Sequence, residues 1–296
     1  MVVWTRLYRL SAITAGAGAG LATYYYHKIS EKENVVHNSW TTIDHKLINP
    51  CSIWNKDWDC RDPKSLVRPP KNDSVEEQNR YNAAIEACRP KATRHIILVR
   101  HGEYLDAGEE DDTHHLTARG RAQATLTGKR LKELDLPWDT VVASTMVRAQ
   151  ETANLILNEI DFDSKKKKNC PYLREGAPIP PQPPVGHWKP ESSQFFRDGA
   201  RIETAFRRYF HRANVNQEHD SYTMIVGHGN VIRYFVCRAL QFPSEAWLRL
   251  SINHASITWL SIGPTGRVTI KTLGDSGHIP ANLLTFKIPR DSGKFV

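Results

Sequence analysis

From Arg94 onward the chain alternates short apolar runs with amphipathic stretches. His95-Ile96-Ile97-Leu98-Val99 is a continuous apolar run rich in β-branched residues, which predicts a buried parallel strand. Val141-Val142-Ala143, Asn169 to Leu173 and Tyr222 to Val226 predict three more. Between them, Thr117 reads as the N-cap of a helix running to Glu133, and Arg148 to Asn158 as a second helix. Ala177 to Pro190 is a Pro-rich loop. Ile202, Ala205, Phe206, Tyr209 and Phe210 recur at i, i+3, i+4, i+7 and i+8, one face of an amphipathic helix. A further helix is expected from Val231 to Leu240. Ala255 to Ile262 and Val268 to Leu273 predict a closing β pair around Pro264-Thr265-Gly266. The class expected is α/β, a three-layer sandwich with a mostly parallel central sheet flanked by helices. Ligands in such sheets bind beyond the carboxyl ends of the strands.

The N-terminal third has a different texture. Ser30 to Lys91 reads as polar linker, with a stiff Arg68-Pro69-Pro70. Within it lies Trp54-Asn-Lys-Asp-Trp58-Asp59, two Trp in otherwise solvated sequence. Exposed Trp is costly to leave wet, so these rings need either a docking partner or the chain's own domain. The first 30 residues hold no acid; Arg6 and Arg9 precede the uncharged run Leu10 to Tyr26, and His27 and Lys28 follow it. Seventeen helical residues would span roughly 25 Å, just short of a hydrocarbon core. A membrane anchor, a secretory signal and a mitochondrial targeting segment all fit such a run. The absence of acids favours a mitochondrial membrane anchor over residues 1–28, crossing through 7–26. Gly16 and Gly20 would allow close helix contact there.

Composition narrows the reading modestly. The formal net charge of +8 suits an anionic partner. Five cysteines, widely spaced and without CxxC, argue against a disulfide framework or structural zinc and for a reducing compartment. Lys165 to Lys168 is the one basic run, without interleaved aromatics, so no nucleic-acid partner is expected.

The candidate chemistry sits at the expected strand ends. Arg100-His101-Gly102 follows the first buried strand, and Gly227-His228-Gly229 follows another. Arg148 comes just after the second strand, and Glu175 after the third. Singly, each has a structural explanation; together they form a phosphoryl-transfer set. A neutral His101 could attack phosphorus, and nearby Arg residues would keep it neutral. Arg100 and Arg148 can grip phosphate oxygens in pairs, and His228 can donate another hydrogen bond. Glu175 can protonate a leaving Ser or Thr oxygen and later deprotonate water. No cofactor and no metal is called for; His114-His115, beside Glu109 to Asp112, reads as a solvated loop.

At these residues the chain resembles the histidine phosphatase, or phosphoglycerate mutase-like, superfamily. The matching motifs are RHG at 100–102, LTxRGxxQA at 116–124, SxxxRAxxTA at 144–153, Glu175 and GHGxVIR at 227–233. The resemblance implies His101 as nucleophile, Arg100, Arg148 and His228 as the phosphate pocket, and Glu175 as acid. LREGAPIPPQPPVGHWKPE and the overall layout further resemble the mitochondrial, member-five branch of the phosphoglycerate mutase family. That implies a membrane-tethered protein Ser/Thr phosphatase, with apoptosis signal-regulating kinase as a suspected substrate and the outer mitochondrial membrane favoured over the inner. It also implies a homo-oligomer assembled through a WDPNWD-like segment at 54–59, here through Trp54, Trp58 and Asp59, and a phosphatase domain over 92–296 after a linker at 29–91. Two departures stand out. Mutases carry Asn six residues after the nucleophile, where this chain has Ala107, which argues against mutase activity. The segment here reads WNKDWD, so its first Asp and its Pro are replaced. The remaining alternatives are a catalytically weak membrane scaffold and a small-molecule mutase.

Overall fold

The computed structural model describes residues 53–105, 111–185 and 188–286. The segment expected to be an anchor and Ala107 lie outside them. Among the described residues no helix is long and apolar enough to cross a membrane.

Six strands form one sheet: β1 (Arg94–Arg100), β2 (Trp138–Ser144), β3 (Lys168–Cys170), β4 (Ser221–Gly227), β5 (Ile257–Ile262) and β6 (Val268–Asp275). Their order is β3-β2-β4-β1-β5-β6. The pairs β3–β2, β2–β4 and β4–β1 are parallel, whereas β1–β5 and β5–β6 are antiparallel. The sheet is therefore mixed, its parallel half built from βαβ crossovers and its antiparallel half from the closing hairpin.

The apolar run in β1 works as two faces. Ile96 and Leu98 join one buried cluster with Ile202, Phe206, Val231 and Phe235. Ile97 and Val99 join another with Leu131, Ala149, Ala153 and Ile156. Successive side chains of a strand point to opposite faces, so a strand covered on both sides must be apolar throughout. The first cluster is covered by α5 (Ser192–Tyr209) and α6 (Gly229–Ala239), the second by α3 (Ala118–Glu133) and α4 (Val147–Leu157). Thr117 caps α3 by accepting from Gly120 N at 2.9 Å, as its position predicts.

Two expectations change. The third strand is only Lys168–Cys170, because Pro171 has no N–H to continue the ladder and opens a 3-10 turn, Pro171–Leu173. The stretch read as linker carries two helices, α1 (Pro63–Leu66) and α2 (Val75–Ala87), each with a side-chain N-cap, Asp62 and Ser74. Neither helix has a buried residue, which is why no apolar period marked them. Trp54 and Trp58 pack on the first buried cluster of the chain's own domain.

Candidate active site

β1, β4, β2 and β3 are consecutive neighbours with a common direction, so their carboxyl ends share one edge. Arg100 pairs in register with Gly227, which places His101 and His228 side by side beyond it. Their ring centroids are 5.2 Å apart. Ser144 ends β2 and bonds His228 Nε2 at 2.8 Å. Glu175 follows the 3-10 turn after β3, and its carboxylate accepts from Asn230 N at 3.4 Å, in the first turn of the helix that His228 caps. The five residues expected at the site are thus gathered at one end of the sheet. Trp54, Trp58 and Asp59 lie at the other end, where Trp58 Nε1 donates to Gly266 O at 2.8 Å in the β5–β6 turn.

Hydrogen bonds settle the state of His101. Its Nδ1 lies 2.8 Å from Gly102 O, and a carbonyl can only accept, so Nδ1 carries the proton. Arg148 Nε, which can only donate, points at His101 Nε2 at 3.3 Å. Both constraints select the same tautomer, with a lone pair on Nε2. Burial first, then the charges of His228, Arg148, Arg100 and His254, hold His101 well below the usual imidazole range. Burial and the guanidiniums of Arg148 and Arg100 do the same to His228.

The cations are held by a carbonyl, an aromatic face and one carboxylate. Arg100 donates to Ile252 O at 2.8 Å, and burial followed by Arg233 brings it down to about 10, still charged at neutral pH. Arg148 stacks over Tyr104 at 4.7 Å and reaches Asp111 Oδ1 at 3.3 Å. The Glu175 loop is clamped by Arg201, which donates to the carbonyls of Tyr172, Arg174 and Glu175. Among the described residues, Arg100 Nε and His228 Nδ1 are buried with no hydrogen-bond partner. A buried guanidinium N–H such as Arg100 Nε is costly unless a ligand accepts from it.

The matching motifs have structural work to do around this set. A Cβ on Gly102 would stand 2.5 Å from Gly120 O, so the RHG turn and the start of α3 need two glycines to meet backbone to backbone. Gln123 accepts from Glu103 N and donates to Leu283 O, tying that turn to the C-terminal segment. Thr152 accepts from Gly102 N at 3.0 Å and donates to Arg148 O at 2.7 Å, linking nucleophile loop and phosphate arginine. Glu151, on the same helix as Arg148, bonds His115 and Leu116 N.

Three residues escaped the sequence reading. His254 accepts from Arg100 Nη2 at 3.0 Å through Nε2, and its Nδ1 lies 2.9 Å from Thr285 Oγ1. It precedes β5, which runs antiparallel to β1, so the start of β5 lies at the carboxyl end of β1. A search confined to the ends of parallel strands passes it by. Arg174 carries no local pattern, and the acidic run that holds Asp111 predicts only a solvated loop, whereas Asp111 pairs with Arg148 and Arg174. Replacing His254 by Ala should free one arm of Arg100 and raise KM for a phosphopeptide about tenfold, since a hydrogen bond to a charged group contributes about 1.5–3 kcal/mol. His254→Gln, which keeps an acceptor, should recover part of that, and steady-state kinetics reads both.

Among the described residues no group of three or more His, Cys, Asp and Glu side chains is placed to hold a metal ion.

Comparison with known proteins follows the same lines. The model of the histidine phosphatase superfamily (branch 1) matches residues 96–177 and 183–276. Serine/threonine-protein phosphatase Pgam5, mitochondrial, of Drosophila virilis is 67% identical over 288 residues, 97% of this chain and 99% of that protein. The protein of the same name from Drosophila melanogaster is 66% identical over 283 residues, 96% of this chain and 98% of that one. Among solved structures, a phosphoglycerate mutase of Plasmodium falciparum is 31% identical, with TM-score 0.44, covering 70% of this chain and all of the other.

Proposed function

The chain belongs to the histidine phosphatase superfamily, and from that premise we propose that it is a mitochondrial serine/threonine-protein phosphatase working through a phosphohistidine on His101. The observation that carries the reading is the single tautomer of His101, with its nucleophilic Nε2 facing the Arg148 guanidinium.

In the proposed reaction, His101 Nε2 attacks phosphorus in line as the P–O bond to Ser or Thr breaks. Glu175 gives its proton to the departing oxygen. Arg100, Arg148 and His228 hold the phosphoryl oxygens, so charge is balanced by fixed donors that need no reorganisation. A water then attacks the phosphohistidine, Glu175 takes its proton, the P–N bond breaks, and inorganic phosphate leaves.

The same reading extends to the rest of the chain. Residues 1–28 serve as a single-pass mitochondrial membrane anchor, the outer membrane being favoured; 29–91 link it to the phosphatase domain at 92–296. A homo-oligomer assembled through Trp54, Trp58 and Asp59 is proposed on the resemblance alone, since in the structure these residues seat on the chain's own domain. The substrates are phosphoproteins, with apoptosis signal-regulating kinase the suspected one.

Glu175→Gln tests the two-step scheme. Its turnover of a phosphoserine peptide should fall by about 10²–10⁴, the usual size of a general acid's contribution. A nitrophenyl phosphate, whose leaving group needs no proton, should still phosphorylate His101. A burst of nitrophenolate stoichiometric with enzyme, with acid-labile phosphate on His101, is expected. Equal loss on both substrates with no burst would overturn the role of Glu175.

A further inference from the structure

The carboxylate of Asp111 lies between two guanidiniums. Oδ1 is 3.3 Å from Arg148 Nη1 and Oδ2 is 3.8 Å from Arg174 Nη1. Arg148 is the buried arginine whose Nε faces the nucleophile, whereas Arg174 stands at the half-exposed rim, next in sequence to Glu175. A carboxylate offers a guanidinium the same thing a phosphoryl group does, two anionic oxygens in one plane. The chain's own anion therefore holds one arm of the arginine that the phosphate needs.

The placement is built rather than incidental. Asp111 opens a 3-10 turn, Asp111–Thr113, and His114 N and His115 N close it on Asp111 O and Thr113 O. The base of the turn is fastened to α4, where Glu151 accepts from Leu116 N at 2.8 Å and pairs with His115 at 2.8 Å. Across it, Leu105 N donates to His115 O at 2.9 Å. Arg174 is held by its backbone, since Arg201 donates to Arg174 O. Its charge reaches the pocket, where it contributes to keeping His228 unprotonated.

We propose that Asp111 is an internal competitor for the phosphoryl group, and that Arg174 is a further phosphate-binding residue which the incoming group inherits together with Arg148. This rests on the phosphohistidine reading and adds a cost to it. Substrate must break the Asp111 contact before Arg148 can turn its Nη1 to phosphate, so the affinity measured is lower than the cage alone would give. The competition also makes binding selective for a dianion, since a monoanion gains no more from the two guanidiniums than Asp111 already does.

The test uses the full chain and inorganic phosphate as the probe, by calorimetry and as a competitive inhibitor of phosphopeptide turnover. Asp111→Asn keeps the shape and removes the charge. It should tighten phosphate binding about tenfold, the scale of a hydrogen bond to a charged group. Glu133→Gln, an exposed carboxylate on α3, reports the generic effect of losing one negative charge and should change binding far less. Arg174→Ala should weaken phosphate binding several-fold in the Asp111→Asn background and less in the wild type, where its loss also loosens Asp111. Weaker or unchanged binding in Asp111→Asn, in a variant with an unaltered melting curve, overturns the competitor role and makes Asp111 a support for Arg148. No response to Arg174→Ala in the Asp111→Asn background removes Arg174. A wild-type chain that binds phosphate but forms no phosphohistidine overturns the underlying reading instead.

Discussion

Replacing His101 by alanine is expected to cut turnover of a phosphoserine peptide by about 10⁴-fold or more, the scale seen when an enzymatic nucleophile is deleted. The size follows from the geometry. Arg100, Arg148 and His228 would still bind phosphate, but the imidazole nitrogen that Arg148 Nε faces would be gone. KM and the phosphate inhibition constant should move little, because the lost interaction belongs to the chemical step. Quenched-flow labelling should find acid-labile phosphate in the wild type and none in the variant. Retention of more than about a hundredth of the wild-type rate would mean that phosphate reaches water by another path.

The same histidine sets the pH behaviour. His101 and His228 are both held well below the ordinary imidazole value, chiefly by burial and then by neighbouring cations. Their neutral forms therefore persist as pH falls through 6.5. The acid limb of kcat/KM, which reports the free enzyme, should lie below the usual histidine range. Stability moves the other way. Below about 6.5 the unfolded chain takes up protons that the folded chain refuses, so unfolding becomes easier by up to about 1.4 kcal/mol per pH unit for each such histidine. His211, brought to about 4 by burial and Arg94, adds a third. The loss ends once pH passes below the folded values, and urea midpoints across pH 4–7 read it.

How much of this was legible in the sequence depends on the range of the interaction. β1 is announced by its own residues, because a strand buried on both faces needs every position apolar. The α3 cap is equally local. Arg100, His101 and His228 were found because a strand end followed by a charged residue is itself a local pattern, and their convergence followed from the class of fold. The dependence of His101 on Gly102 O was hidden although the two are adjacent, since tautomers follow from the partner of each ring nitrogen. His254 needed the knowledge that β5 runs antiparallel. Asp111 and Arg174 needed the path of a loop that no period or cap describes.

Asp59 shows the longest reach, and its replacement by alanine is expected to cost about 3–5 kcal/mol of stability. Asp59 and Arg212 both have fully buried side chains, with Oδ1 3.1 Å from Nη1, and Asp59 Oδ2 also accepts from Arg212 N at 2.8 Å. Arg212 further donates to Lys56 O. Its guanidinium fills the space beside Gly266, whose φ of 81° and crowded Cβ position exclude any side chain. Removing the carboxylate leaves that guanidinium in a dry site with only the Asp62 carboxylate, 3.9 Å from Nη2, to oppose its charge, and water reaches it only if the segment 54–59 lifts away. Trp54 and Trp58 would then lose their apolar seat, so the damage extends beyond one pair. Replacing both partners, Asp59→Leu with Arg212→Met, should cost much less than the single change, because the penalty belongs to the unpaired charge rather than to the lost pair. Equal losses in the single and double variants would trace the effect to packing alone. The same measurement bears on the proposed oligomer. A segment seated on its own domain unfolds at a midpoint independent of protein concentration, whereas one that makes these contacts on a neighbouring copy gives a midpoint that rises with it.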